Sequence, residues 1–182
     1  MTPETLSAVR TKAAGYDVPA GNLAAMVEAE SAGKVFAEVN GQKRPLILFE
    51  PHILYRRLKG DERDRAVAAG LADSSQGKRP YPKTQAERWE QIEKAALINA
   101  DEAYQSASYG VGQVMGYHWK ALGFESLQAF LDMMFSGVEG QIDVMLRYCR
   151  VNHLIDDLRA GRWLSLGRGY NGPKYAQSYA TK

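Results

Sequence analysis

The chain contains a single cysteine, Cys149, in 182 residues. One thiol excludes an internal disulfide and a cysteine-cluster metal site. Histidine is almost as scarce: His52, His118 and His153 stand far apart, with no HExxH or HxH spacing, which disfavours zinc-dependent amidase chemistry. No apolar run approaches the roughly 20 residues of a membrane span. The opening residues Met1-Thr2-Pro3-Glu4-Thr5-Leu6 lack both a basic n-region and an apolar h-region, so no secretory signal is expected. Internal repeats, low-complexity tracts and domain-splitting linkers are also missing. Acidic residues stop at Asp157, whereas Arg159, Arg162, Arg168, Lys174 and Lys182 follow. A basic end of this kind favours anionic surfaces such as envelope lipids, cell-wall polymers or nucleic acid; a solvated face with no specific partner is the alternative.

What is present describes an ordinary globular chain. Hydrophobic residues make up 45%, charged residues 24%, and the formal net charge is +2. The length suits a single domain over residues 1–182 with a sizeable core. Helical signals dominate. Thr2 caps a first helix, with Pro3 at its first position and Gly15 at its end. A second helix runs from Gly21 to Ser31 and stops near Gly33. The one clear β signal follows: Val35–Val39, then Asn40-Gly41, then Arg44–Phe49, with residues 40–43 allowing a loop longer than the minimal turn. Pro51 opens another helix. Residues 72–83 read as a surface loop, and Thr84 with Glu87 forms a capping box that starts a helix to about Asn99. Further helices are expected at Gln113–Leu122, Ser126–Phe135, Val138–Val151 and Leu154–Ala160, with a short one at 175–180. Val138–Val151 carries too many apolar residues for a surface helix and belongs in the core. The expectation is a mainly helical α+β domain with one small β-hairpin.

Glu30 is the residue that points to chemistry. Leu23, Met26 and Val27 form an apolar stripe at helical spacing, and Glu30 continues it at i+7 while Glu28 faces away. A carboxyl beside apolar side chains loses hydration of its charged form, which raises its pKa and suits it to donate a proton as a general acid. The ordinary alternative is a helix-end Glu that escapes to water. Three short motifs follow in order: Glu30-Ser31-Ala32-Gly33 at the helix end, Ser108-Tyr109-Gly110-Val111-Gly112-Gln113-Val114 where glycines let backbone approach a ligand, and Gly169-Tyr170-Asn171-Gly172 in a loop. Ser31 reads as a helix-end residue bonded to backbone rather than a nucleophile.

This order resembles the lysozyme-like superfamily, especially goose-type lysozymes and soluble lytic transglycosylases. Glu30-Ser31, Gly110-Val111-Gly112-Gln113 and Tyr170-Asn171 occupy the places of that superfamily's Glu-Ser, Gly-Leu-Met-Gln and Tyr-Asn. The chain is closer still to the bacteriophage N-acetylmuramidase endolysins, through Arg44-Pro45-Leu46-Ile47-Leu48-Phe49-Glu50-Pro51-His52 and Tyr55-Arg56-Arg57-Leu58. The resemblance spans about residues 3–180. Gly112 departs from the methionine common in the wider superfamily and alters the expected shape of that subsite.

The resemblance implies cleavage of the β-1,4 bond between N-acetylmuramic acid and N-acetylglucosamine in peptidoglycan, without a cofactor or metal. Glu30 would protonate the glycosidic oxygen, and inverting hydrolysis needs a second carboxylate roughly 6.5–9.5 Å away to activate water. Glu50, at the end of the second strand, is the favoured candidate and Glu38 the other; a carboxylate before a Pro-initiated helix also complements the helix dipole. Ser108, Gly110, Gly112, Gln113, Tyr117, Tyr170 and Asn171 are candidate substrate contacts, Tyr117 because it lies one helical turn beyond Gln113. For Tyr117 simple packing competes, and His52 is read as structural. The expected partner is peptidoglycan, with an anionic envelope surface at the basic end, no nucleic acid, and a monomeric chain without a separate wall-binding domain. The implied location is the host cytoplasm until release to the wall. Competing functions are a lytic transglycosylase forming 1,6-anhydro ends and a non-catalytic wall- or membrane-binding protein.

Overall fold

The computed structural model describes residues 1–173, so the helix expected at 175–180 lies outside them. Local signals form the first elements. In α1 (Pro3–Gly15) Thr5 N donates to Thr2 Oγ1 at 3.2 Å, the N-cap bond that the sequence implies. Helix α2 (Ala20–Ser31) buries Leu23, Met26 and Val27 and closes on Ala32, whose φ of 52° is left-handed. Strands β1 (Phe36–Val39) and β2 (Gln42–Pro45) form a two-stranded ribbon. Val39 pairs directly with Gln42 and both Asn40 and Gly41 have positive φ, so the turn is the two-residue type that Asn-Gly signals, and the longer loop that residues 40–43 also allow does not form.

The single strand expected at Arg44–Phe49 breaks at Leu46. Leu46 N donates to Val35 O at 3.4 Å, while Leu46 O accepts from Gly110 N at 2.8 Å. Its two backbone groups therefore face different sheets, and β3 (Ile47–Phe49) joins a second one with β4 (Ala107–Tyr109) and β5 (Val114–Met115), in the order β3-β4-β5. This second sheet also overturns the helix expected at Gln113–Leu122. Val114 and Met115 pair with Tyr109 and Ser108, and a one-turn 3-10 segment at Gly116–His118 follows.

Helix α3 (Pro51–Arg57) starts at its proline, and α4 (Gly60–Ala68), absent from the sequence reading, follows. The full capping box of Thr84 and Glu87 opens α5 (Gln85–Ala96), and Asn99 caps α6 (Ala100–Gln105). Then come α7 (Leu127–Phe135), α8 (Val138–Val151), α9 (Ile155–Ala160) and α10 (Trp163–Asn171). The last was expected to be partly loop: Gly169-Tyr170-Asn171 forms its final turn, and Gly172 ends it.

Two apolar clusters make the core. One gathers Ile47, Phe49, Leu54, Ile92, Tyr109 and Phe130 around the second sheet; the other gathers Leu23, Met26, Val27, Ile142, Leu146 and Leu166 around α1, α2, α8 and α10. Helix α8 belongs to both, through Val144 on the first and Ile142, Met145, Leu146 and Cys149 on the second. It is a core helix, as its composition implies.

Candidate active site

Glu30 sits where the buried stripe of α2 reaches the surface. Leu23, Met26 and Val27 are fully buried, Glu30 is half-buried, and Glu28 is exposed. Ser31 Oγ donates back to Val27 O at 3.2 Å, the helix-end role expected of it. The buried thiol of Cys149 in α8 is close enough to feel Glu30. Burial first, and the Glu30 charge second, push that thiol up to about 12. Cys149 is therefore protonated, inert packing beside the carboxylate.

The glycine-rich turn between β4 and β5 is pinned to α8 by Gln141, a fully buried polar residue. Gln141 Oε1 accepts from Val111 N at 3.0 Å, and its Nε2 donates to Met134 O at 3.0 Å. Gly110 has φ of +68°, and a Cβ there would lie 2.6 Å from Gln141 Oε1, so only glycine fits. Gly112 is constrained by space: a Cβ would lie 2.8 Å from Met145 Cβ and 2.9 Å from Tyr170 Oη. That close approach explains why methionine is absent here. Tyr170 Oη donates to Gly112 O at 2.6 Å, and the next residue, Asn171, donates from Nδ2 to Glu30 Oε1 at 2.8 Å. The end of α10 thus clasps the end of α2 to the glycine turn, bringing the three sequence motifs together.

A cavity of about 320 Å³ opens beside this clasp. Gln113, Tyr117, Tyr170 and Asn171 line it together with Glu50 and His52. Glu50 does not cap α3 with its side chain. Its Oε2 accepts from Tyr81 Oη at 2.8 Å and lies 3.1 Å from His52 Nδ1. Burial raises the Glu50 pKa, and the Tyr81 hydrogen bond opposes the rise. His52 is held below its ordinary value by burial and then by Arg56, which favours the neutral ring. Glu38 is exposed on β1, opposite Lys43 in the ribbon, and does not line the cavity.

Other expected contacts divide. Tyr117 is 38% exposed and lines the cavity, but from the 3-10 turn after a hairpin rather than from a helix shared with Gln113. Gln113 is partly committed to the turn: its Oε1 accepts from Ser108 Oγ at 2.9 Å and its Nε2 donates to Gly110 O at 2.9 Å. Each end of an amide retains capacity for one more bond, so Gln113 remains able to meet a ligand. Ser108 is 5% exposed, and its hydroxyl acts by fixing Gln113. The sequence reading missed His118 and Tyr148, which continue the wall: ring centroids run Tyr117–His118 4.3 Å, His118–Tyr148 5.0 Å and Tyr148–Tyr170 5.0 Å. It also missed Gln76 and Tyr81, because a loop with no pattern carries no signal of where it lands. No group of three or more His, Cys, Asp or Glu arranged to hold a metal occurs among the described residues.

At the basic end, Arg159 pairs with Asp17 and Asp156, and Arg162 with Asp157, while Arg168 is exposed. Lys174 and Lys182 lie outside the described residues.

Comparison with known proteins bears on this geometry. A family model described as N-acetylmuramidase matches residues 19–182. The search of curated proteins finds no match. Among solved structures, the crystal structure of the Burkholderia AP3 phage endolysin is similar, with a TM-score of 0.83 and 30% identity over 100% of this chain and 70% of that one. Matched over nearly its whole length, the chain belongs to the N-acetylmuramidase family.

Proposed function

We propose that this muramidase is a phage endolysin that hydrolyses the β-1,4 bond between N-acetylmuramic acid and N-acetylglucosamine, with Glu30 as general acid and Glu50 as general base. The observation that carries the assignment is the clasp of Asn171 on Glu30 and Tyr170 on Gly112, which ties the Glu30 carboxyl to two residues of the cavity wall, Asn171 directly and Tyr170 through the end of α10. Asn171 donates to one oxygen of Glu30 and so orients the carboxyl that is to meet the glycosidic oxygen. As the bond to C1 of the muramic acid breaks, Glu30 gives its proton to the departing O4 of the glucosamine. Glu50, which lines the cavity, takes a proton from the water that attacks C1, so the products are a reducing muramic acid end and a free 4-hydroxyl. Burial of Glu50 makes its carboxylate a stronger base than an exposed one.

No helix among the described residues is long and apolar enough to cross a membrane. In the endolysin reading the enzyme stays in the host cytoplasm until the inner membrane is permeabilised. The exposed part of the basic end adds attraction to anionic wall polymers, a contribution that added salt screens.

The test is Glu30→Gln on purified peptidoglycan, with product analysis by mass spectrometry. Loss of a general acid removes about 10²–10⁴ of rate. The expected result is loss of that size with thermal unfolding unchanged, and reducing muramic acid ends from the wild type. Undiminished lysis by the variant overturns the assignment. Products ending in 1,6-anhydromuramic acid replace hydrolysis with transglycosylation.

A further inference from the structure

The connection between α4 and α5, residues 69–84, contains the stretch 72–83 that reads in the sequence as a surface loop. Its ends are fastened. Asp73 is 8% exposed, accepts from Ser75 N at 3.1 Å and pairs with Lys78 and Arg79 at 3.6 Å each, while its own N–H donates to Pro51 O at 3.2 Å. At the far end Arg88 Nε donates to Pro82 O at 3.0 Å. Between these anchors the loop reaches the cleft twice, with Gln76 on the cavity wall and Tyr81 at Glu50.

Tyr81 is 37% exposed, yet its hydroxyl points inward and donates to Glu50 Oε2 at 2.8 Å. His52 Nδ1 lies 3.1 Å from the same oxygen. Both contacts fall on Oε2 and restrict rotation of the carboxylate. A base must present one lone pair to water in a fixed direction, and small misplacements are costly to rate. Resting on the reading of Glu50 as the base, we propose that Tyr81 is a positioning residue whose hydroxyl, with His52, holds Glu50 Oε2 so that Oε1 receives the proton of the attacking water. The loop is then part of the catalytic apparatus rather than a connection. Charged and titratable groups near Glu50 are Tyr81 from the loop, His52 from α3 with Arg56 acting on it, and His118 of the same cavity. Of these, Tyr81 donates directly to the ionised carboxylate and so favours it over the acid form.

The experiment compares kcat, KM and their pH profiles on soluble glycan-strand fragments for the wild type, Tyr81→Phe, Glu50→Gln and the double variant. Tyr81→Phe retains the ring, and its thermal unfolding confirms the fold. It is expected to lower kcat about ten- to a hundredfold with KM unchanged. The acidic limb of its profile moves to higher pH, because a base that has lost a donor to its ionised form protonates sooner. In the Glu50→Gln background the same change has no further effect. Wild-type kcat and an unmoved limb in Tyr81→Phe, with Glu50→Gln inactive, overturn the positioning role and leave the base assignment standing. A rise in KM alone makes Tyr81 a substrate contact and also overturns it. Full activity in Glu50→Gln removes the base assignment, and the proposal with it, while Glu30→Gln still decides the muramidase reading independently.

Discussion

Replacing Gly112 with alanine puts a methyl group into space that three atoms already fill. The new Cβ would stand 2.8 Å from both Met145 Cβ and Met145 Cγ, and 2.9 Å from Tyr170 Oη. Met145 Cβ is fixed to the backbone of α8 and cannot swing aside. The tyrosine hydroxyl is tied to Gly112 O at 2.6 Å and moves only by giving up that bond. Forced overpacking of this kind costs about 1–3 kcal/mol. Gly112 is not among the positive-φ residues, so alanine also gains about 0.4–1 kcal/mol by restricting the unfolded chain. The net loss runs from near zero to about 2.6 kcal/mol, a fall in Tm of up to about 10 °C for a chain of this size. Activity falls further than stability. Displaced Tyr170 drags Asn171, whose amide orients Glu30, so kcat is expected to drop more than about tenfold. Denaturant unfolding and turnover of purified peptidoglycan measure the two effects. A variant with wild-type stability and wild-type turnover would refute the close approach and the clasp built on it.

Asn171→Ala tests the same clasp from the other side: Asn171 is exposed, so Tm is expected to hold while kcat falls at least about tenfold, and equal losses in both would count against a role in orienting Glu30. His118 is held below its ordinary 6.5 by burial, so the unfolded chain binds its proton first as pH falls. Its contribution is therefore complete above pH 6.5 and declines through the lower folded pKa; stability measured between about pH 5 and 7 is expected to rise with pH, less steeply in His118→Phe, with equal slopes as the contrary result. Cys149 is fully buried with a thiol pushed to about 12, so a thiol-specific chromogenic reagent is expected to label it only after denaturation. Stoichiometric labelling of the native protein at neutral pH would mean that the packing of α8 against α2 around Cys149 opens.

Much of the fold was legible where the controlling interactions are local. Thr2, Thr84 with Glu87, and Pro51 each set a helix start within one turn of chain, and each helix begins there. The Glu30 position was legible because a 3.6-residue period relates it to Leu23, Met26 and Val27. What failed was long-range. Val114 and Met115 have no local pattern that separates strand from helix; their partners, Tyr109 and Ser108, decide, and β3 completes that sheet from 60 residues away at Leu48 and Ser108. Tyr170 and Asn171 read as loop because Gly167, Gly169 and Gly172 crowd that segment. Burial of Leu166 and Gly167, and the bond from Tyr170 to Gly112, make it helix instead. Tyr81 was illegible for the same reason: its target lies 31 residues back.

The site's dependence on α8 follows from one stripe of side chains. Gln141, Met145, Tyr148 and Cys149 are spaced four, three and one residues apart, which places them along one side of a helix. Each touches a different part of the site. Gln141 holds the backbone of the glycine turn, Met145 sets the limit at Gly112, Tyr148 packs edge-on against Tyr170, and Cys149 meets Met26 of α2 within reach of the Glu30 charge. None contributes a group to the chemistry, yet together they set the relative positions of the acid, the turn and the clasp. A helix of 14 residues buried between two clusters is a stiff ruler for that purpose, because it cannot shift one contact without moving the others. Inserting one residue between Gln141 and Met145 would rotate the later members of the stripe by about 100°. Such a chain keeps the composition of its core helix and every proposed catalytic residue, and it is expected to lose the clasp, which near-wild-type lysis would disprove.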